Sequence, residues 1–112
     1  MRVLVTGGAG YIGSVTVEQL VLAGHEVVVL DTLVTGHRES VAPGAELAVH
    51  SVMDRAAIVG LLRELRIDAV LHCAARSLVA QSLEDPGLYF NEKVVGGIAL
   101  LDALREAGVD RI

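Results

Sequence analysis

The chain has 112 residues and a formal net charge of -5, with 14 acidic residues against 9 Lys and Arg. A chain of this length can bury about two-thirds of its unfolded surface, so we expect residues 1–112 to form a single domain. The acidic balance, with no run of Lys or Arg, argues against nucleic acid or an anionic membrane as a partner. Hydrophobic residues make up 53% of the chain but aromatic residues only 3%, which is typical of a parallel sheet covered by helices.

Cysteine content and the amino-terminal segment bear on the compartment. The single cysteine, Cys73, cannot form an intramolecular disulfide, and Gly7 and Gly8 interrupt the first apolar run too early for a signal peptide. No apolar stretch reaches the roughly 20 residues that cross a bilayer. We therefore expect a cytoplasmic protein. The four histidines lack metal-ligand spacing, so no metal site is predicted.

Short apolar runs alternate with segments of helical periodicity, which is the pattern of consecutive βα units. Strands are predicted at Val3–Val5, Glu26–Leu30, Leu47–Val49 and Ala69–Ala74. Helices are predicted from the glycine-rich segment to Gly24, at Asp54–Leu65 and at Pro86–Ala107, with a short one near Glu39–Ala42. The long helix is expected to pack through Val94, Ile98, Leu101 and Leu104, and Val109–Ile112 is expected to begin another strand.

A glycine-rich segment stands between the first strand and the first helix, with the sequence TGGAGYIG over residues 6–13. Gly8, Gly10 and Gly13 match G-x-G-x-x-G, and Gly7, Gly10 and Gly13 match G-x-x-G-x-x-G. Such a turn lets the backbone approach a pyrophosphate, while the helix N-terminus offers free N–H groups and a partial positive charge. The pattern therefore predicts a dinucleotide site, although a purely structural turn would also use these glycines.

Asp31 ends the second strand, at the position where a carboxylate binds the ribose hydroxyls in dinucleotide-binding proteins. Its negative charge would repel a 2′-phosphate, which favours NAD over NADP. Two alternatives stay open, because Asp31 could instead cap the following loop and Arg38 could then accommodate NADP.

The segments TGGAGYIGS, VVVLDTLVTGHRES, IDAVLHCAARSLV and LEDPGLYFNEKVVGG together resemble the extended short-chain dehydrogenase/reductase family, most closely its UDP-glucose 4-epimerase branch. The resemblance covers the whole chain but only the first third or so of a family member. It implies a partial Rossmann fold of the α/β class, with about four parallel strands in the order 3-2-1-4. It also implies NAD or a related adenine nucleotide as the ligand.

The resemblance assigns residues to each part of the cofactor. The pyrophosphate would lie on the glycine turn, the adenosine ribose beside the end of the second strand, the adenine after the third strand and the nicotinamide half after the fourth. The residues implied are Gly7, Gly10, Tyr11, Ile12, Gly13, Asp31, Thr32, Ser51, Val52, Cys73, Ala74, Ala75 and Ser77.

The chain departs from the family pattern at several of these positions. Ser51 replaces an Asp that usually binds the adenine amino group, which exchanges a bond of about 1.5–3 kcal/mol for one of about 0.5–1.5 kcal/mol. Ser77 replaces a basic residue near the phosphates, with Arg76 beside it as a substitute. Lys93 stands where Asn is expected near the active centre, and Thr32 stands where Asn or Asp is common after the ribose carboxylate. We expect affinity for NAD to be reduced but not lost.

The family's catalytic Ser or Thr and Tyr-x-x-x-Lys lie beyond the fifth strand, where this sequence stops. Tyr89 and Lys93 match Tyr-x-x-x-Lys literally, but they align upstream of the family's catalytic region. We therefore expect a binding fragment without catalytic residues, active only in a longer parent or with a complementing carboxyl-terminal fragment. The alternative is a self-assembling fragment, engineered or natural, with a vestigial site. An uncovered fourth strand and an uncovered long helix predict a homo-oligomer, most simply a dimer.

Overall fold

The computed structural model describes residues 1–74 and 79–112, and a parallel sheet lies at its centre. The sheet has four strands in the order β3-β2-β1-β4, all pairs parallel. This arrangement confirms the predicted α/β class and strand order. The strands are β1 (Arg2–Thr6), β2 (Glu26–Asp31), β3 (Glu46–Val49) and β4 (Ala69–His72).

The register of the sheet brings the carboxyl ends of its strands to one edge. Thr6 pairs with Leu30 on one side and with His72 on the other, while Asp31 pairs with Val49. In open parallel sheets this edge is where ligands bind, because the turns that leave it converge there.

One helix connects the first strand to the second, another connects the third to the fourth, and the remaining helices follow the fourth strand. Asp54 and Asp85 are the N-caps that the sequence predicts. The Asp54 carboxylate accepts a hydrogen bond from the Ala57 N–H at 3.3 Å, and the Asp85 carboxylate accepts one from the Leu88 N–H at 3.1 Å. Each satisfies an N–H that a helix N-terminus leaves without a partner. The helices are α1 (Tyr11–Leu22), α2 (Arg55–Glu64), α3 (Val79–Glu84), α4 (Pro86–Phe90) and α5 (Gly96–Ala107).

Two apolar cores cover the two faces of the sheet. One packs α2 and α5 against Leu4, Val28 and Val70, and the other packs α1 against the alternate valines of β1 and β2. β1 and β2 are therefore buried on both faces, which explains why they consist of continuous apolar residues instead of alternating ones. None of the helices in residues 1–74 and 79–112 is long and apolar enough to cross a membrane.

Three predicted elements differ from the structure in type or by more than one residue at an end. β4 ends at His72 and not at Ala74, because the Ala74 N–H turns to donate to the Thr6 hydroxyl. The short helix is a 3₁₀ turn at Arg38–Ser40. Val109–Ile112 forms no strand in the described structure, and its link to the sheet is one bond from the Val70 N–H to the Arg111 carbonyl at 2.9 Å. The helix α3 was not predicted.

The predicted core face of the long helix is wrong. Val94, Ile98 and Leu101 are exposed, and of the four predicted residues only Leu104 is buried. The face that packs on the sheet carries Gly96, Leu100, Ala103 and Leu104. Small residues at 96 and 103 allow close approach, since a Cβ on Gly96 would lie 3.2 Å from Val52 Cγ2. Both faces of α5 are apolar, so periodicity alone could not decide which one is buried.

We predict that two adjacent leucines of α5 differ sharply in their contribution to stability. Leu100 is 0% exposed and Leu101 is 53% exposed. Leu100→Ala should lower the free energy of unfolding by about 2–5 kcal/mol, because it leaves a cavity in the core. Leu101→Ala should change it by about 0.5 kcal/mol or less. Urea unfolding at a concentration where the chain is monomeric would measure both, and equal losses would contradict the observed face.

Candidate functional site

A cavity of about 700 Å³ lies at the carboxyl edge of the sheet, between the glycine turn and the amino-terminal part of the long helix. Every predicted cofactor residue that the structure describes lines it. These are Gly7, Gly10, Tyr11, Ile12, Gly13, Asp31, Thr32, Ser51, Val52, Cys73 and Ala74. Ala75 and Ser77, together with Arg76, lie outside the described residues.

Two glycines of the turn are required by the protein's own packing. Gly7 has φ +71°, and a Cβ there would lie 2.7 Å from Ala74 Cα. A Cβ on Gly13 would collide with the Gly7 carbonyl. Both positions therefore need glycine whether or not a ligand binds.

Gly10 differs from its two neighbours in the motif. Its φ of -84° and ψ of -178° suit any residue, and a Cβ there would meet only the Gly7 carbonyl oxygen, at an ordinary 3.4 Å. The packing of the fold thus does not require glycine at position 10, although the residue lines the cavity. The space above Gly10 is the feature that a close-lying ligand would require.

The N-terminus of α1 faces this space. Gly10 is the N-cap, no side chain caps the helix and its first turn contains no acidic residue. The helix therefore presents uncapped N–H groups and a partial positive charge to the cavity. Tyr11 and Ile12 flank the opening and are 88% and 71% exposed. An anion is the ligand that this arrangement favours.

The carboxylate of Asp31 connects the glycine turn to the loop after β2. Its Oδ2 accepts a hydrogen bond from the Ala9 N–H at 3.0 Å, and its Oδ1 accepts one from the Leu33 N–H at 2.8 Å. The loop-capping alternative is therefore present in the structure. A carboxylate has about four acceptor positions, so two N–H donors leave room for ribose hydroxyls. Leu33 has φ +64°, a conformation that costs a non-glycine residue about 1–3 kcal/mol and that the bond to Asp31 supports.

The far wall of the cavity follows β3. The Ser51 hydroxyl accepts a hydrogen bond from the Met53 N–H at 3.1 Å, and Thr32 likewise accepts one from the Val34 N–H at 3.4 Å. Val52 is half-buried and packs against the α2–α5 core. This wall combines apolar surface with hydroxyl groups that can still hydrogen-bond a flat heterocycle.

A buried threonine organises the end of β4. The Thr6 side chain is 0% exposed, and its hydroxyl accepts the Ala74 N–H at 3.2 Å and lies 2.7 Å from His72 Nδ1. Partial burial lowers the pKa of His72, so Nδ1 of the neutral ring can accept a hydrogen bond from the Thr6 hydroxyl. Burial also raises the pKa of the Cys73 thiol, which keeps it protonated at neutral pH.

The structure separates Tyr89 from Lys93. Tyr89 is 7% exposed, and its hydroxyl donates a hydrogen bond to Gln81 Oε1 at 3.0 Å. Lys93 lines the cavity and Tyr89 does not. Residues Asn91–Val95 form a π-helical turn, which shifts the helix phase between α4 and α5. The literal Tyr-x-x-x-Lys spacing therefore forms no catalytic pair in this cavity.

Several lining residues were not predicted: Leu30, Val34, Thr35, Gly36, His50, Met53, Glu92 and Lys93. Those next to Asp31 and Ser51 could have been found from adjacency to the strand ends. Glu92 carried no such signal, because it reaches the cavity from a distant helix, whereas the family resemblance had placed position 93 near the active centre. Among residues 1–74 and 79–112, no group of three or more His, Cys, Asp or Glu could hold a metal ion.

The parallel sheet, the glycine turn and the carboxylate at the end of β2 define a Rossmann-type α/β domain. The chain belongs to the NAD dependent epimerase/dehydratase family, whose model matches residues 3–112. It is 48% identical over 109 residues to the UDP-glucose 4-epimerase of Lactobacillus helveticus, covering 97% of this chain and 33% of the relative. It is 44% identical over 112 residues to that of Corynebacterium glutamicum, covering 100% of this chain and 33% of the relative.

Solved structures agree with this membership. The UDP-glucose 4-epimerase of Thermus thermophilus, in complex with NAD, superposes with a TM-score of 0.92 at 47% identity, over 98% of this chain and 35% of that one. The enzyme from Stenotrophomonas maltophila, with bound NAD and formylated UDP-arabinopyranose, gives 0.94 at 39% identity, over 98% and 35%. The chain thus spans about a third of the length of these relatives.

We predict that protonation of His72 destabilises the fold in mild acid. Its folded pKa lies below the ordinary 6.5, so the unfolded state binds more protons between these two values. The free energy of unfolding should therefore fall as pH drops below about 6.5. Urea unfolding at pH 7.5 and pH 5 should show a larger loss for the wild type than for His72→Asn, which cannot titrate there. The same loss in both proteins would assign the pH dependence to other groups.

Proposed function

We propose that this chain binds NAD in the cavity at the carboxyl edge of the sheet, as the cofactor-binding segment of a UDP-glucose 4-epimerase type of enzyme. The observation that carries the proposal is the open space above Gly10, because the packing of the fold does not require this glycine and it lies at the uncapped N-terminus of α1. The two relatives reported above are UDP-glucose 4-epimerases, and the similar structures from Thermus thermophilus and Stenotrophomonas maltophila contain NAD.

The residues around the cavity fit each part of NAD. The pyrophosphate suits the N–H groups after Gly10, and the adenosine ribose suits Asp31, which keeps unused acceptor positions. Ser51 and Val52 would frame the adenine, and the nicotinamide half would lie beside Cys73. The negative charge of Asp31 favours NAD over NADP. A cavity of about 700 Å³ is within the usual range of ligand sites.

When bound, NAD supplies a hydride acceptor, and the resemblance implies that a Ser or Thr and a Tyr-x-x-x-Lys pair move the proton. Tyr89, buried and bonded to Gln81, does not line the cavity and cannot take that role. We therefore propose that residues 1–112 bind the cofactor and that a carboxyl-terminal polypeptide would supply the proton-transfer residues. A cytoplasmic location is part of the proposal, in keeping with the single reduced Cys73.

A second candidate is a vestigial site in a self-assembling domain. Two carboxylates that line the cavity, those of Asp31 and Glu92, support this candidate because each repels an anion. The two candidates differ in one measurement, because a vestigial site binds neither NAD nor ADP.

We predict that NAD and ADP bind in the micromolar to millimolar range and that Gly10 controls this binding. Gly10→Val should abolish it and Gly10→Ala should weaken it at least about tenfold, because the new Cβ occupies ligand space. Gly60→Ala is the matched control, since its Cβ meets nothing within 4 Å and Gly60 is away from the cavity. Calorimetric titration with NAD, NADP and ADP measures the effect. Unchanged binding in Gly10→Val, with melting temperatures equal across the set, would remove the phosphate-loop assignment.

We also propose a homo-oligomer. Two apolar surfaces are exposed in the described residues: strand β4, where Leu71 is 38% exposed and the Val70 N–H is bonded to the Arg111 carbonyl, and the outer face of α5 with Ile98 and Leu101. An edge strand without charge, proline or bulge pairs readily with another strand. A two-fold axis would bring either surface against its own copy.

We predict that light scattering across a concentration series shows a dimer or larger species. A charge on the contacting surface should shift the mass toward the monomer, so either Leu71→Lys or Ile98→Lys should do so and thereby identify which surface associates. Leu22→Lys is the control, because Leu22 is an exposed leucine on α1, away from both surfaces. A monomer mass at high concentration for the wild type would rule out the oligomer.

A further inference from the structure

Lys93 is the only lysine among the 112 residues, and it lines the candidate cavity. Within the described residues, no other Lys or Arg lines it. Lys93 therefore contributes an ammonium group to the cavity in which an anionic ligand is expected.

The position of Lys93 is fixed from both sides along its helix. On the amino-terminal side, Tyr89 is buried and bonded to Gln81. On the carboxyl-terminal side, Gly96 is buried and lies close to Val52 and Met53 in the cavity wall. The π-helical turn Asn91–Val95 bridges these two fixed points and contains Lys93, which lines the cavity. Single π turns inside α-helices are frequent at functional sites.

Among the described residues, no ion pair includes the ammonium group of Lys93. The ion pairs in residues 1–74 and 79–112 join Arg2 to Glu26 and Arg55 to Glu106, and neither includes Lys93. A side chain held in an ion pair would have little to offer a ligand, whereas Lys93 keeps its three N–H donors.

The charges of the cavity wall give this cation a role. Among the described residues, Asp31 and Glu92 contribute carboxylates to the cavity, and the helix N-terminus after Gly10 contributes a partial positive charge besides Lys93. A diphosphate carries negative charges that these carboxylates repel, so the ammonium group of Lys93 improves its binding.

We propose that Lys93 is the cationic contact for the diphosphate of the bound nucleotide and so selects diphosphate-bearing ligands over uncharged nucleosides. This role rests on the proposed function, since it concerns the same cavity. Lys93 acts here in binding, and no proton transfer is assigned to it.

Calorimetric titration of ADP, NAD and adenosine separates a charge contact from a loss of shape. Lys93→Met should weaken ADP and NAD binding about tenfold and leave adenosine unchanged, while Lys93→Arg should restore most of the affinity. Arg105→Met is the matched control, because it removes the same charge from an exposed position outside the cavity. Equal weakening of adenosine, or no change for ADP, would overturn the role of Lys93.

The single lysine permits a second measurement that does not depend on NAD affinity. Reductive methylation followed by mass spectrometry labels two amines, Lys93 and the amino group of Met1, which serves as the internal reference. ADP should slow labelling of Lys93 but not of Met1, and adenosine should slow neither. Labelling of Lys93 that is indifferent to ADP would count against the contact.

The two measurements distinguish the two proposals. If ADP protects Lys93 while NAD does not bind, the NAD function fails and the diphosphate contact stands. If NAD binds and Lys93→Met binds it equally well, the function stands and the contact fails. If nothing binds and nothing protects Lys93, both are wrong.

Discussion

The close backbone approach within the glycine turn is the constraint on which the rest of the site depends. Helix α1 begins directly against the Gly7 carbonyl, which is feasible only because Gly13 has no Cβ. Gly7 in turn lies against the residue that leaves β4, so the same turn fixes the distance between α1 and the far side of the cavity. A larger side chain at either position would move the helix N-terminus away from the sheet, and the cavity would lose its positive end.

Polar contacts then hold the carboxyl edge of the sheet in shape around that turn. Asp31 binds the glycine turn with one oxygen and its own loop with the other, and Thr6 links β1 to β4 through Ala74 and His72. Each of these polar groups is satisfied by a partner at the same edge, so the site costs the fold little in unpaired hydrogen bonds. The binding and structural roles of Asp31 are therefore compatible, because a carboxylate can serve both sides at once.

The sequence was informative wherever the signal was local. Runs of valine identified β1 and β2, the spacing of Gly7, Gly10 and Gly13 located the turn, and Asp54 and Asp85 marked helix starts. It failed where the outcome depended on which surfaces meet. The core face of α5 was assigned to the larger side chains, yet the sheet accepts the face with Gly96 and Ala103, since close packing favours small residues. Lys93 reaches the cavity because it lies on a π turn, which the helical periodicity of the sequence does not predict.

That π turn has a consequence for the whole segment from Pro86 to Ala107. One residue of an α-helix corresponds to about 100° of rotation, so an inserted residue turns everything before it relative to everything after. The segment is thus two amphipathic helices in different phases, joined without a break. Its amino-terminal part is oriented by the burial of Tyr89, and its carboxyl-terminal part by the sheet. Deleting one residue between Asn91 and Val95 would restore a uniform helix. Such a helix could not both bury Tyr89 and pack its carboxyl-terminal part on the sheet as the structure does.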